Sequence, residues 1–270
     1  MGKNAIEKLS GLVVVTGASS GIGLELARHA ARDGVDLLLV ADRDLSDGEA
    51  AAREAGAASV ETLQADLATT EGVDSVMHAI GTRQVDALMA NAGTGQGGKF
   101  LDEDWDRIVH IIDTNITGTL SLIHRVGRAM RARNAGRILV TGSIVSDMPG
   151  PYNLIYNSTK AFIVDFCVGL AEEMKESEVV ISCLLPGLTD TEFFKYADME
   201  NTAVGRSPIK ADPADVAKDG YQALLDGDVK EVSGFINKVQ YFFGDILPDG
   251  LIAKMHTVMA KPLGPEKEKA

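Results

Sequence analysis

Residues 12–15 form an apolar run, Leu12-Val13-Val14-Val15, with no polar alternation. Such a run suits a parallel strand covered on both faces. Comparable strand-like segments recur at 36–40, 60–65, 87–90, 137–143 and 179–185. Between them apolar residues fall at helical spacing, over 24–31, 49–56, 72–80, most of 102–131 and the stretch around Tyr156. Strands alternating with helices predict an α/β fold with a parallel, doubly wound sheet in a single domain. Ligands of such a sheet bind beyond the carboxyl ends of its strands.

The last third reads differently. Residues 193–207 mix polar and apolar positions and predict a mobile loop over the site, within a segment of about 190–210. Asp212-Pro213-Ala214-Asp215 has the form of a helix start, with proline at the first helical position, and a helix to about Leu225 should follow. A helical extension over about 235–260 carries Phe235, Ile236, Val239, Phe242, Phe243, Ile246 and Leu247, then Leu251, Ile252, Met255, Val258 and Met259. Core packing is the first expectation for this stripe; a subunit interface and a substrate-pocket wall are the alternatives. The domain should run over 1–261, with a disordered charged tail at 262–270.

Composition narrows the partners. A net charge of −13 opposes nucleic acid and anionic lipid, which select basic surfaces. No uninterrupted apolar run approaches the roughly 20 residues that span a bilayer, and residues 1–6 lack the apolar core of a signal peptide. A cytoplasmic protein without membrane association is expected. Cys167 and Cys183 sit in apolar surroundings without C-x-x-C spacing and read as buried free thiols. The five histidines are scattered, so no metal site is predicted.

The chemistry lies at the strand ends. Thr16-Gly17-Ala18-Ser19-Ser20-Gly21-Ile22-Gly23 follows the first strand and opens a helix. Glycines there let the backbone approach a pyrophosphate, and the helix N-terminus offers free N–H groups to it. The second strand ends at Ala41-Asp42-Arg43, where such a fold inspects the adenosine ribose. Asp42 could accept from a ribose 2′-OH and would repel a 2′-phosphate, whereas Arg43 could pair with that phosphate. Asp42 inclines the reading to NAD over NADP. Asp66, followed by Leu67, is placed either for an adenine amino group or as a turn or helix-cap acid. Asn91-Ala92-Gly93 ends the fourth strand with small residues that leave room for a sugar and pyrophosphate. Asn115 interrupts a long helical segment and marks either a local distortion or a polar contact.

Ser143 closes a buried strand thirteen residues before Tyr156. On a helix, Tyr156 and Lys160 lie one turn apart on one face. The ammonium should then lower the phenol from its ordinary pKa of about 10 towards the range of a general acid or base. Pro186-Gly187-Leu188-Thr189-Asp190-Thr191 closes the last strand. Ile144, Met148, Tyr152, Phe193 and Phe194 flank the presumed centre and suggest an apolar pocket without a basic clamp.

Together these residues resemble a classical short-chain dehydrogenase/reductase over roughly 9–191. The glycine turn matches the family's T-G-x-x-x-G-x-G motif, and Asn91-Ala92-Gly93 its N-A-G. Asn115, Ser143, Tyr156 and Lys160 match its catalytic tetrad in order and separation. The C-terminal third is similar to a bacterial subgroup labelled DltE-like, in which two arginines end the second strand and NADP(H) is expected; Asp42 departs from that pattern. The resemblance implies a Rossmann-type fold binding NAD or NADP through Gly17, Ser19, Ser20, Gly21, Ile22, Gly23, Asp42, Arg43, Asp66, Leu67, Asn91, Ala92, Gly93, Tyr156, Lys160, Pro186, Gly187, Thr189 and Thr191. It also implies hydride exchange with a neutral, hydrophobic carbonyl or alcohol. Tyr156 would move the proton, Ser143 hold the substrate oxygen, Lys160 bind the nicotinamide ribose, and Asn115 hold a water leading to Lys160. A homodimer or homotetramer is implied through helices near 104–130 and 156–173. A dinucleotide-binding regulator without redox chemistry is the alternative.

Overall fold

The computed structural model describes residues 4–244 and 247–264. Seven strands form one sheet: β1 (Leu12–Thr16), β2 (Asp36–Ala41), β3 (Ser59–Gln64), β4 (Val85–Ala90), β5 (Gly136–Thr141), β6 (Val179–Leu185) and β7 (Lys230–Val232). All pair in parallel in the order β3-β2-β1-β4-β5-β6-β7. Ten α-helical segments accompany them among the described residues: α1 (Gly21–Arg32), α2 (Ser46–Ala55), α3 (Thr70–Ile80), α4 (Trp105–Ile112), α5 (Thr119–Ala132), α6 (Leu154–Glu173), α7 (Phe193–Tyr196), α8 (Pro213–Asp226), α9 (Phe235–Gly244) and α10 (Asp249–Ala260). The predicted doubly wound sheet is therefore present. β7 is the strand that sequence patterning misses, because three residues with a charged start carry no periodic signal.

The sheet is buried on both faces, as the unalternated apolar runs require. Val14, Leu38, Val40, Leu88 and Ile138 pack under α3, α5 and α6. Val13, Val15, Leu37, Leu39 and Met89 pack under α1, α2 and α8 on the opposite side. Local chemistry sets the helix ends. Thr69 accepts from the Gly72 amide, Asp104 from Asp106 and Arg107, and Asp212 from Ala214 with Pro213 at the first position. Left-handed Gly56 and Gly227 stop α2 and α8.

The long helical segment predicted around Asn115 is interrupted. Residues Asp113–Gly118 form a π-helical turn between α4 and α5, the distortion that a poor helix former in that segment allows. α6, at 20 residues, is long and apolar enough by length and composition to cross a membrane, although Asn157, Lys160 and Asp165 interrupt its apolar run. Here it packs on the sheet through Thr159, Lys160, Ile163, Val164 and Cys167.

The segment after β6 is a strap whose two ends meet. Thr189 and Ala211 form a parallel bridge, with the Asp190 amide donating to the Ala211 carbonyl at 2.9 Å and the Ala211 amide to Leu188 at 2.8 Å. Between them Ala197 and Met199 are buried against Ala260 of α10, with Tyr152, Phe193 and Phe194 beside them. The tail boundary drawn at 262 falls too early. Pro262 bridges Thr202 and the Leu263 amide donates to Asn201 at 2.8 Å. Residues 265–270, Ile246 and the side chains of Phe242 and Phe243 lie outside the described residues.

Candidate active site

The strand ends open into one cleft of about 1230 Å³. At its base the turn after β1 comes as close as backbone can. Gly17 and Gly21 take φ of +65° and +56°, which favours glycine. A methyl on Gly23 would stand 2.1 Å from the Gly17 carbonyl oxygen. Gly23 thus lies behind the cleft and acts sterically, while Gly17, Ser19, Ser20, Gly21 and Ile22 line it. The donor-rich turn, the α1 N-terminus and the absence of side-chain volume fit a dinucleotide's pyrophosphate.

Asn91 stitches the crest of the sheet. Its amide and that of Ala92 both donate to Thr16 Oγ1 at 3.0 Å, its Nδ2 donates to the Thr16 carbonyl, and Thr141 donates to its Oδ1. Asn91, Ala92 and Gly93 line the cleft above that network. At the β2 end, both Asp42 carboxylate oxygens accept from Arg43, at 2.8 and 3.1 Å. That pairing holds the Asp42 carboxyl below its usual range. The Arg43 guanidinium lies 4.0 Å from the Tyr196 ring centroid, so the strap rests on it. Asp66 takes the turn role that its sequence context offered, and its second oxygen stays at the cleft. Oδ1 accepts from the Ala68 amide at 2.9 Å, while Oδ2 is 4.0 Å from His110 Nδ1; Asp66, Leu67 and His110 all line the cleft.

Ser143, Tyr156 and Lys160 converge at the other end, with Pro186, Gly187, Thr189 and Thr191 opposite. Asn115 is buried behind them. Its Oδ1 accepts from the Thr94 amide at 2.8 Å, and its Nδ2 donates to the Thr94 carbonyl and to Thr159 Oγ1. Thr159 in turn donates to the Tyr156 carbonyl at 2.8 Å. The π turn therefore fixes the cleft wall to the start of α6, a positioning role for Asn115.

The electrostatics differ from the sequence expectation. Lys160 Nζ donates to the Thr141 carbonyl at 2.7 Å and stands 5.7 Å from the Tyr156 ring centroid. Burial pushes Lys160 down to about 8. Burial likewise pushes the Tyr156 phenol up to about 12, against a downward pull from its Ser143 hydrogen bond. One face of Tyr156 is only partly buried along the cleft. Burial is the first cause of both shifts, since it penalises the charged form of each group. Cys167 and Cys183 are free and buried, as expected. Contact with Cys183 and burial push the Cys167 thiol upward.

The far wall is apolar. Ile144, Met148, Phe193 and Phe194 line it as predicted, and the Phe193 ring sits 4.8 Å from that of Tyr156. Tyr152 does not line it and packs in the strap's own small core. Among the described residues most of the C-terminal stripe is exposed: Phe235 is 81% exposed and Met255 54%, and within α10 only Ile252 and Ala260 are buried. Phe235, Ile236, Val239, Leu247, Met255 and Met259 line the cleft, as the pocket-wall alternative requires, while Leu251 and Val258 are exposed outside it. Sequence reasoning also passed over Thr114, Asn153, His256, Asn237 and Gln240, which line the cleft from helices without a motif.

Residues 11–201 match the short chain dehydrogenase family. The chain belongs to that family. A stretch of 191 residues is 33% identical to 17-beta-hydroxysteroid dehydrogenase type 1 of Homo sapiens, covering 68% of this chain and 58% of that relative. Among solved structures, a short-chain dehydrogenase from Sphingobium yanoikuyae in complex with NADPH is 28% identical, with a TM-score of 0.75 over 94% of this chain and 99% of that one. A short chain dehydrogenase/reductase from Burkholderia phymatum in complex with NAD is 21% identical, with a TM-score of 0.77 over 96% and 99%, a likeness of fold.

Proposed function

We propose that this chain is an NAD(P)-dependent oxidoreductase that interconverts a secondary alcohol with a ketone, or a primary alcohol with an aldehyde. The observation that carries this reading is one continuous cleft with a glycine-rich phosphate cradle at one end and Ser143, Tyr156 and Lys160 at the other. When bound, the dinucleotide supplies or takes the hydride. Gly17 to Ile22 would hold its pyrophosphate, Asp66 and Leu67 its adenine, and Lys160 and the segment Pro186–Thr191 its nicotinamide end. Neighbours of this fold carry NADPH and NAD. The Asp42–Arg43 pair favours NAD, since a 2′-phosphate would meet a carboxylate and find the arginine fork already occupied.

The chain's own residues then move the proton. Ser143 donates to the substrate oxygen, and such a donor is worth on the order of 2.7–4 kcal/mol at comparable oxyanion sites. Tyr156, raised to about 12, is a neutral phenol at pH 7 and stands ready to protonate a forming alkoxide. The apolar wall selects a neutral, hydrophobic substrate. A dimer or tetramer would pack through α5 and α6, where Phe162 and Val168 are exposed, and light scattering at micromolar concentration would show more than one chain.

Replacement of Tyr156 tests the whole reading. Tyr156→Phe should lower turnover of ketones by roughly 10²–10⁴, with NADH affinity within threefold of the parent. Unchanged turnover would reject the role of the phenol. Failure of the parent chain to oxidise NADH or NADPH across a broad ketone panel would favour the regulator.

A further inference from the structure

The pyrophosphate of a dinucleotide is a dianion, and the cleft it would enter already holds acids. Asp42, Asp66 and Glu192 line it, in a chain of net charge −13. The glycine turn and the α1 N-terminus offer N–H groups, which carry partial charge only. Among the described residues, the lysine and arginine side chains that line the cleft are Arg43, Lys160 and Lys210. The first two are committed elsewhere. Arg43 forks onto Asp42 at 2.8 and 3.1 Å, and Lys160 donates to the Thr141 carbonyl at 2.7 Å.

Lys210 stands at the neck of the strap, next to Ala211 in the bridge to Thr189. That neck lies against the glycine turn, since a methyl added to Gly21 would stand 2.8 Å from Thr191 Cγ2. Lys210 shares a recess of about 590 Å³ with Ser20, Gly21 and Thr191, and it lines the main cleft as well. Its Nζ lies 5.1 Å from the Phe194 ring centroid, and 18% of its side chain stays accessible. Its ion pair with Asp190 is long, at 3.5 Å, and the Asp190 side chain is 74% exposed. A solvated pair of this kind contributes little and gives way to a better anion. Lys195 borders the recess too, but it is 60% exposed and already pairs with Glu192.

We propose that Lys210 is a further cofactor-binding residue, which leaves Asp190 to pair with the pyrophosphate of the dinucleotide and so fastens the strap over the bound cofactor. This rests on the oxidoreductase reading above and deepens its account of cofactor binding. A lysine suits the task, being a point charge on a flexible stem that needs no fixed fork geometry. The exchange replaces a screened surface pair by one beside a helix N-terminus, where the turn's N–H groups already favour phosphate. Phe193 and Phe194 belong to the same strap and line the substrate side of the cleft. The charge contact at the neck therefore links the apolar wall beside Tyr156 to the presence of cofactor.

Lys210→Met keeps an apolar stem against Phe194 and removes the charge. NADH, followed by fluorescence, and ADP-ribose, followed by calorimetry, should bind Lys210→Met about tenfold more weakly than the parent chain, whereas Lys210→Arg should stay within about threefold of it. The loss should shrink at high salt, which screens the charge contact. Adenosine, which lacks the phosphates, should compete with NADH equally well in the parent and in Lys210→Met, and thermal unfolding should show that both variants fold. In the parent chain, ADP-ribose should slow amide exchange over residues 190–210 while adenosine leaves it unchanged, a measurement that needs no variant. Undiminished affinity of Lys210→Met for NADH and ADP-ribose, an equal loss for adenosine, or strap exchange that ignores ADP-ribose would overturn the proposal and leave the oxidoreductase reading standing. Binding of neither NADH, NADPH nor ADP-ribose to the parent chain would overturn both.

Discussion

The two sides of the cleft are built on opposite principles. At the phosphate end the glycine turn brings backbone to the wall, and a single methyl added behind it at Gly23 would sit 2.1 Å from a carbonyl oxygen. On the substrate side the wall is made of side chains on α9 and α10, several of them more than half exposed. A ligand that never changes can be met by backbone, which sequence drift alters little. A ligand that varies between relatives is met by side chains whose replacement leaves the sheet untouched.

The contrast can be broken at four points. Gly23→Ala should have the largest effect, because its clash is with backbone: about 3 kcal/mol of stability and NADH affinity down by more than roughly a hundredfold, read by thermal unfolding and dinucleotide fluorescence. Retained affinity would show the cradle to be looser than its contacts. Lys160 comes next. Its folded pKa of about 8 lies below the ordinary lysine value, so the unfolded chain binds more protons between those values and stability rises with pH across that window. The gain is present above the ordinary lysine pKa and is lost as pH falls through 8. Denaturant titration of the free protein at pH 7.5 and 10 should show a gain on the order of 2–3 kcal/mol that Lys160→Met lacks. A parallel profile in the variant would contradict a buried ammonium. Tyr156, raised to about 12, acts in the opposite sense above pH 10.

Asp42→Ser should shift the ratio of NADPH to NADH affinity upward by about tenfold, as it frees Arg43 for a 2′-phosphate. An unmoved ratio in paired titrations would place the discrimination elsewhere. Phe235→Ser on the wall should change stability by less than about 0.5 kcal/mol, while KM for a bulky apolar ketone rises about threefold. A large loss of stability would make α9 part of the core after all.

The same contrast explains what the sequence disclosed. The cofactor side was legible because glycines at fixed positions after an apolar strand have few uses other than close approach. The stripe from Phe235 was not, since apolar residues at helical spacing look alike whether their own domain or a ligand covers them. The four-residue step from Tyr156 to Lys160 gave the shared helix face, but could not show that the ammonium is taken by the Thr141 carbonyl. Asn115 declared a distortion without its form.

The bridge between Thr189 and Ala211 ties the strap off at its neck. The stretch from Asp190 to Lys210 leaves and rejoins the fold at that knot and docks in between on α10 and the residues after it, so changes that spare those docking contacts need not tug on β6 or α8. Grafting the corresponding segment of a relative between the same two residues would exchange the lid as a unit and leave the machinery beneath it in place.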